Sequence, residues 1–145
     1  MKFELGNPEH GWVGVKLELA DTCLKFFASD VPNDPIEGLI DAIRTVAAGR
    51  EVSLWWHLEP DGWYFEFTPT PQGVRLQALY AENSDRAAAE LRGEYRGSLD
   101  AVLLPLWRGL RRFETYAPAA PHWPVLRPGA VASLRAVIEQ AAAKN

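Results

Sequence analysis

The sequence predicts an α+β domain: an antiparallel sheet of five or six strands with two or three helices packed on one face. Three observations predict it. Strand-period alternation recurs in hairpin-like pairs, a capped amphipathic helix interrupts those pairs, and the remaining helix-period stripes gather toward the end of the chain. Strands joined by short turns and set apart from the helices favour an antiparallel sheet over a doubly wound parallel one.

The elements follow in chain order. GWVGVKLELADTCLKFFASD reads as a hairpin in which Val13, Val15, Leu17 and Leu19 alternate with outward positions. A two-residue Ala20-Asp21 turn sets Leu17 opposite Leu24 and Val15 opposite Phe26, and it also sets Lys16 opposite Lys25, a like-charge pairing that opposes the register. NDPIEGLIDAIRTVAAG is the clearest helix. Asp34 is placed to accept from first-turn amides, Pro35 suits the first helical position, and Glu37 completes a capping-box-like signal. Ile36, Leu39, Ile40, Ile43, Val46 and Ala47 form its apolar stripe, and Gly49 closes it. The acidic run Asp30, Asp34, Glu37 and Asp41 is better explained by capping and solvation than by metal binding.

VSLWWHLEPDGWYFEF, residues 52–67, is a second hairpin. A four-residue loop from Glu59 to Gly62 sets Leu58 opposite Trp63, Trp56 opposite Phe65 and Leu54 opposite Phe67, which gathers the apolar side chains on one face. GVRLQALYAEN continues as a strand, with Val74 and Leu76 beside Phe67 and Phe65. SDRAAAELRGEYRG is read as a short helix or loop. SLDAVLLPLWRGLRRFETYA is a helix opened by Ser98, with a kink or later start at Pro105. APAAPHWPVLRPG is a proline-rich connection whose Trp123 is an anchor to the core, and GAVASLRAVIEQAAAK is a terminal helix with Val131, Leu134, Ile138 and Ala141 on its stripe. No repeat or long linker divides the chain, so residues 1–145 are read as a single domain.

Composition narrows the function classes. Apolar residues are 48% and charged residues 23% of the chain, the balance of a folded globular protein. Cys23 is the single cysteine, which excludes an internal disulfide and points to a reducing cytoplasm. MKFELGNPEHGW carries no apolar run behind its lysine, and no segment approaches membrane-spanning length, so neither secretion nor a membrane partner is expected. Residues 1–72 hold five basic and twelve acidic side chains, while residues 73–145 hold ten and seven. The overall charge of −4 argues against a nucleic-acid partner, and Arg108, Arg111 and Arg112 fall on one helix side as a solvated face.

Catalytic patterns are sparse. Ser53 and His57 lie about 13 Å apart along a strand, too far for a nucleophile and its base. Glu59 and Glu66 do not have glycosidase-like spacing. His10, His57 and His122 lack metal-ligand spacing, and neither phosphate-cradling glycine motif occurs, so no cofactor and no metal is expected. The local acid/base candidate is His57, a diagonal neighbour of Glu66 in the expected register.

Parity divides the tryptophan-rich hairpin into core and surface. Trp56, Trp63, Phe65 and Phe67 face inward. Trp55 lies opposite Glu66, which lies opposite Arg75, and His57 lies opposite Tyr64. Trp55, His57, Tyr64, Glu66 and Arg75 therefore form an aromatic and polar patch on the helix-free face. Cross-strand stabilisation of an open sheet accounts for such residues too.

The early hairpin, the segment AAGREVSLWWHLEP, the hairpin LEPDGWYFEF and the late HWP segment together resemble small uncharacterised bacterial proteins of the toxin-immunity-like kind. That resemblance implies a compact cytosolic domain that binds a protein partner. The expected function is a noncatalytic interaction module, an immunity-type inhibitor among them, acting through the five patch residues. The alternative is a small-molecule-binding protein or enzyme with a pocket on the same face, His57 serving as base and Glu66 orienting it. A homodimer through this face is a third arrangement.

Overall fold

A computed structural model describes residues 1–144 of the chain. Seven strands form two antiparallel sheets in place of the single sheet expected. The first has the order β1 (Lys2–Leu5), β2 (Trp12–Glu18), β3 (Cys23–Ser29). The second has the order β4 (Val52–His57), β5 (Gly62–Thr70), β6 (Gly73–Ala81), β7 (Glu90–Gly97). Helix α1 (Pro35–Ala47) separates the two in sequence, and α2 (Leu99–Thr115) and α3 (Leu134–Ala143) follow them. None of these helices is long and apolar enough to cross a membrane.

The first hairpin has the register its turn dictates: Leu17 pairs with Leu24, Val15 with Phe26 and Lys16 with Lys25. The lysine mismatch is offset on one side only. Lys16 lies opposite Glu4 of β1 and meets the Glu18 carboxylate at 3.2 Å.

Helix α1 begins where its cap signal ends. The Asp34 carboxylate accepts from the Ile36 and Glu37 amides, and Trp123 Nε1 donates to the same oxygen at 3.2 Å. The proline-rich connection is thereby tied to the start of α1, with Trp123 buried edge-on against Phe113. Burial holds the Asp34 carboxyl above its usual range despite those donors. Helix α2 starts at its Ser98 cap and runs through Pro105 without a break in the assigned helix, because six of its apolar side chains, from Leu99 to Phe113, are enclosed in the core. Its arginines Arg108, Arg111 and Arg112 stay in solvent.

The inner faces of both sheets and the apolar sides of all three helices share one core. Phe26 of β3 joins the sheets: its ring packs on Trp56, Trp63 and Phe65, with centroids 5.8–6.1 Å away. Two expectations are corrected here. The stretch from Ser84 to Gly97 is neither a helix nor a loop alone but a 3₁₀ turn (Arg86–Ala88) followed by edge strand β7. The strand count is seven because β1 pairs onto β2 and β7 onto β6.

Candidate functional site

The tryptophan-rich hairpin keeps the expected parity but shifts by two residues. Trp56 pairs with Trp63, Trp55 with Tyr64, Leu54 with Phe65 and Ser53 with Glu66. The loop is Leu58–Asp61, closed by the Leu58 amide donating to the Asp61 carbonyl at 2.7 Å, with Glu59 left-handed at φ 73°. A two-residue slip leaves every side chain on the same face, so hydrophobic pattern cannot choose between the registers and loop closure does. The β5–β6 ladder moves by the same amount: Glu66 pairs with Gln77, and Arg75 with Thr68.

The shift regroups the patch. Trp55 and Tyr64 are now direct cross-strand partners, with ring centroids 4.6 Å apart, and Trp55 Nε1 donates to His57 Nδ1 at 3.1 Å. His57 pairs with Gly62 instead of Tyr64. Gly62 makes the arrangement feasible, since a Cβ there would lie 2.5 Å from the Trp55 indole and 2.3 Å from the Trp56 carbonyl oxygen. Trp55, His57 and Tyr64 thus form one half-buried aromatic cluster.

Glu66 belongs to a second group. Its carboxylate accepts from Ser53 Oγ at 3.3 Å and takes a two-point contact from the Arg86 guanidinium. Those Arg86 hydrogen bonds hold the Glu66 carboxyl below its usual range. Arg86 also approaches the Tyr64 ring, and the Tyr64 hydroxyl donates to the Ser84 carbonyl. The segment carrying the 3₁₀ turn therefore folds back over the outward face, which is partly roofed and not wholly open. Burial beneath it raises the Tyr64 phenol. Arg75, a diagonal neighbour of Glu66, lies 3.9 Å from Glu94, and its enclosed Nε has no hydrogen-bond partner.

This geometry dissolves the proposed acid/base pair. Glu66 lies opposite Ser53, four strand residues and about 13 Å from His57. Because His57 Nδ1 accepts the indole hydrogen, its neutral ring carries its proton on Nε2 and presents a donor, the wrong tautomer for a base facing outward. The cavity beside Glu66, about 330 Å³, is lined by Glu51, Ser53 and Thr68 and not by His57. What the face offers is fixed aromatic surface and N–H donors.

Sequence reasoning missed Arg86 and Ser84, which come from a segment with no periodicity. It also missed that Glu37 and Asp41 of the acidic run pair with Arg127, at 2.8 and 3.2 Å. The fold brings His10 and His122 together, the His10 amide donating to His122 Nδ1 at 3.1 Å. Even so, no group of three or more His, Cys, Asp or Glu side chains suited to a metal ion occurs among the described residues. The chain matches no protein-family model, no curated protein and no solved structure, so the chemistry of this face is read from its own geometry.

Proposed function

We propose that the chain is a noncatalytic protein-interaction domain, of the immunity-inhibitor kind, that receives its partner on the outward face of β4–β7. The supporting observation is the Trp55–His57–Tyr64 cluster. The Trp55 indole donates to His57 Nδ1 and the Tyr64 hydroxyl to Ser84, which orders the rings before any partner arrives and leaves His57 Nε2 free. Ordered aromatic area flanked by arginine is what concentrates binding energy in protein interfaces. The donors on this face, His57 Nε2 and the Arg75 guanidinium, suit a partner surface that presents carboxylates or carbonyl oxygens around an apolar patch.

Affinity capture from native lysate tests this, with Trp55→Ala/Arg75→Ala as the paired control and near-UV circular dichroism verifying its fold. A stoichiometric partner protein held by the wild type and lost from the double variant is the expected result. A partner retained unchanged by the folded double variant overturns the assignment of this face. Self-association in sedimentation that disappears in the same variant makes the partner a second copy.

A further inference from the structure

The outward face of the first sheet, remote in sequence from the patch, holds a depression whose floor lacks side chains. Gly6, just past the end of β1, Gly14 of β2 and Phe27 of β3 fall in one row, with the Gly6 amide donating to the Gly14 carbonyl at 2.9 Å. Two of those three positions carry no Cβ, and the Phe27 ring leans over the gap, its Cε1 3.4 Å from where a Gly14 Cβ would stand. Phe27 is 69% exposed, although its neighbour Phe26 is in the core. Arg112 and Tyr116, from the end of α2, form the opposite wall of a cavity of about 620 Å³, a size typical of small-molecule sites.

The next row of the sheet supplies charge. It aligns Glu4, Lys16 and Lys25, all lining the same cavity. Lys16 is matched by Glu18 at 3.2 Å, but Lys25 and Arg112 have no carboxylate in ion-pair range among the described residues. Arg112 Nε reaches only the Tyr116 hydroxyl, at 3.5 Å. Two lysines directly opposite on a ladder repel. At Lys25 only the more distant Glu18 carboxylate offsets that repulsion, without an ion pair, so an anion seated beside the two lysines would relieve it further.

We propose that this depression is a binding site for a small organic acid with a flat aromatic body. The ring lies on the glycine floor against Phe27, and the acid group meets Lys25 and Arg112. Each part of the site answers one requirement of such a ligand: backbone-only floor for close approach, an exposed ring for stacking, and cations without an ion-pair partner for charge.

Anilinonaphthalene sulfonate is a suitable probe, and its uncharged counterpart N-phenyl-naphthylamine is the control. Both are titrated into the native protein at neutral pH and followed by fluorescence and amide NMR. The sulfonate should bind more tightly than the neutral analogue and shift the amides of Gly6, Gly14, Lys25 and Phe27. Gly14→Leu, which fills the floor at an outward strand position, should weaken it about tenfold or more, and Lys25→Gln about tenfold. Equal affinity for the uncharged analogue overturns the proposal, as do shifts centred on Trp55 and Tyr64 or undiminished binding by both folded variants.

Discussion

Arg86 holds Glu66 through both carboxylate oxygens, Nε on one and Nη2 on the other, from a segment that is not part of the sheet. The contact fastens the 3₁₀ turn across the outward face. Because folding lowers the Glu66 pKa from its ordinary 4.5, the stability this pair contributes is complete above that value and is lost as pH falls through the lower folded value. Both side chains are partly solvated, so its contribution to global stability should be under about 1 kcal/mol. The local effect should be larger. The protection factor of the Ala87 amide, which donates to Asp85, taken relative to the intrinsic exchange rate at each pH, should fall in Arg86→Ala and in wild type under acid, while the β5–β6 ladder stays protected.

Gly62→Ala should be disruptive despite its single added methyl group. Its Cβ would collide with the Trp56 carbonyl, a backbone atom that cannot rotate away, and with the Trp55 indole. A loss of about 2–3 kcal/mol in denaturant unfolding is expected, with Trp55 displaced from His57 in the fluorescence of the folded fraction.

Asp34 separates the value of a cap from that of its charge. Asp34→Ala removes the acceptor for two helix amides and for the Trp123 indole, and should cost about 2 kcal/mol in thermal or chemical unfolding. Asp34→Asn keeps an oxygen there. Since burial raises the folded Asp34 pKa above its ordinary 3.8, ionisation works against the native state as pH rises across that window. The asparagine variant should therefore gain on wild type between acid and neutral pH; a difference that stays constant with pH would sink this account.

Trp56 is wholly enclosed, and its Nε1 has no partner. Trp56→Ala should cost about 3–5 kcal/mol through the cavity it leaves. Trp56→Phe loses packed area but also removes an unsatisfied buried donor worth about 1–3 kcal/mol, so these effects nearly cancel. Equilibrium unfolding should place the phenylalanine variant within about 1.5 kcal/mol of wild type.

These positions also mark what could be read from the chain. Where a turn admits one solution, as at Ala20-Asp21, the register followed from sequence down to the awkward Lys16–Lys25 pair. At the tryptophan hairpin, inward and outward faces were legible because parity survives a slip of two, but the neighbours of Glu66 were not, and His57 lost its supposed partner for that reason. Strand β7 stayed hidden because no residue of the edge segment ELRGEYRG is fully buried and its partly buried positions do not alternate with exposed ones. Whether β3 and β4 pair across α1 is a long-range choice with no local signal, so one sheet and two sheets looked alike. Trp123 was legible as an anchor, but its bond to Asp34 spans 89 positions and no local pattern announces it.

Phe26 stands in the first sheet and spends its ring on the second, among Trp56, Trp63 and Phe65. Neither half of the polypeptide can then complete its interior alone. Cutting the chain between Gly49 and Arg50 should yield two fragments that are each unstructured when separate and regain native circular dichroism only on mixing.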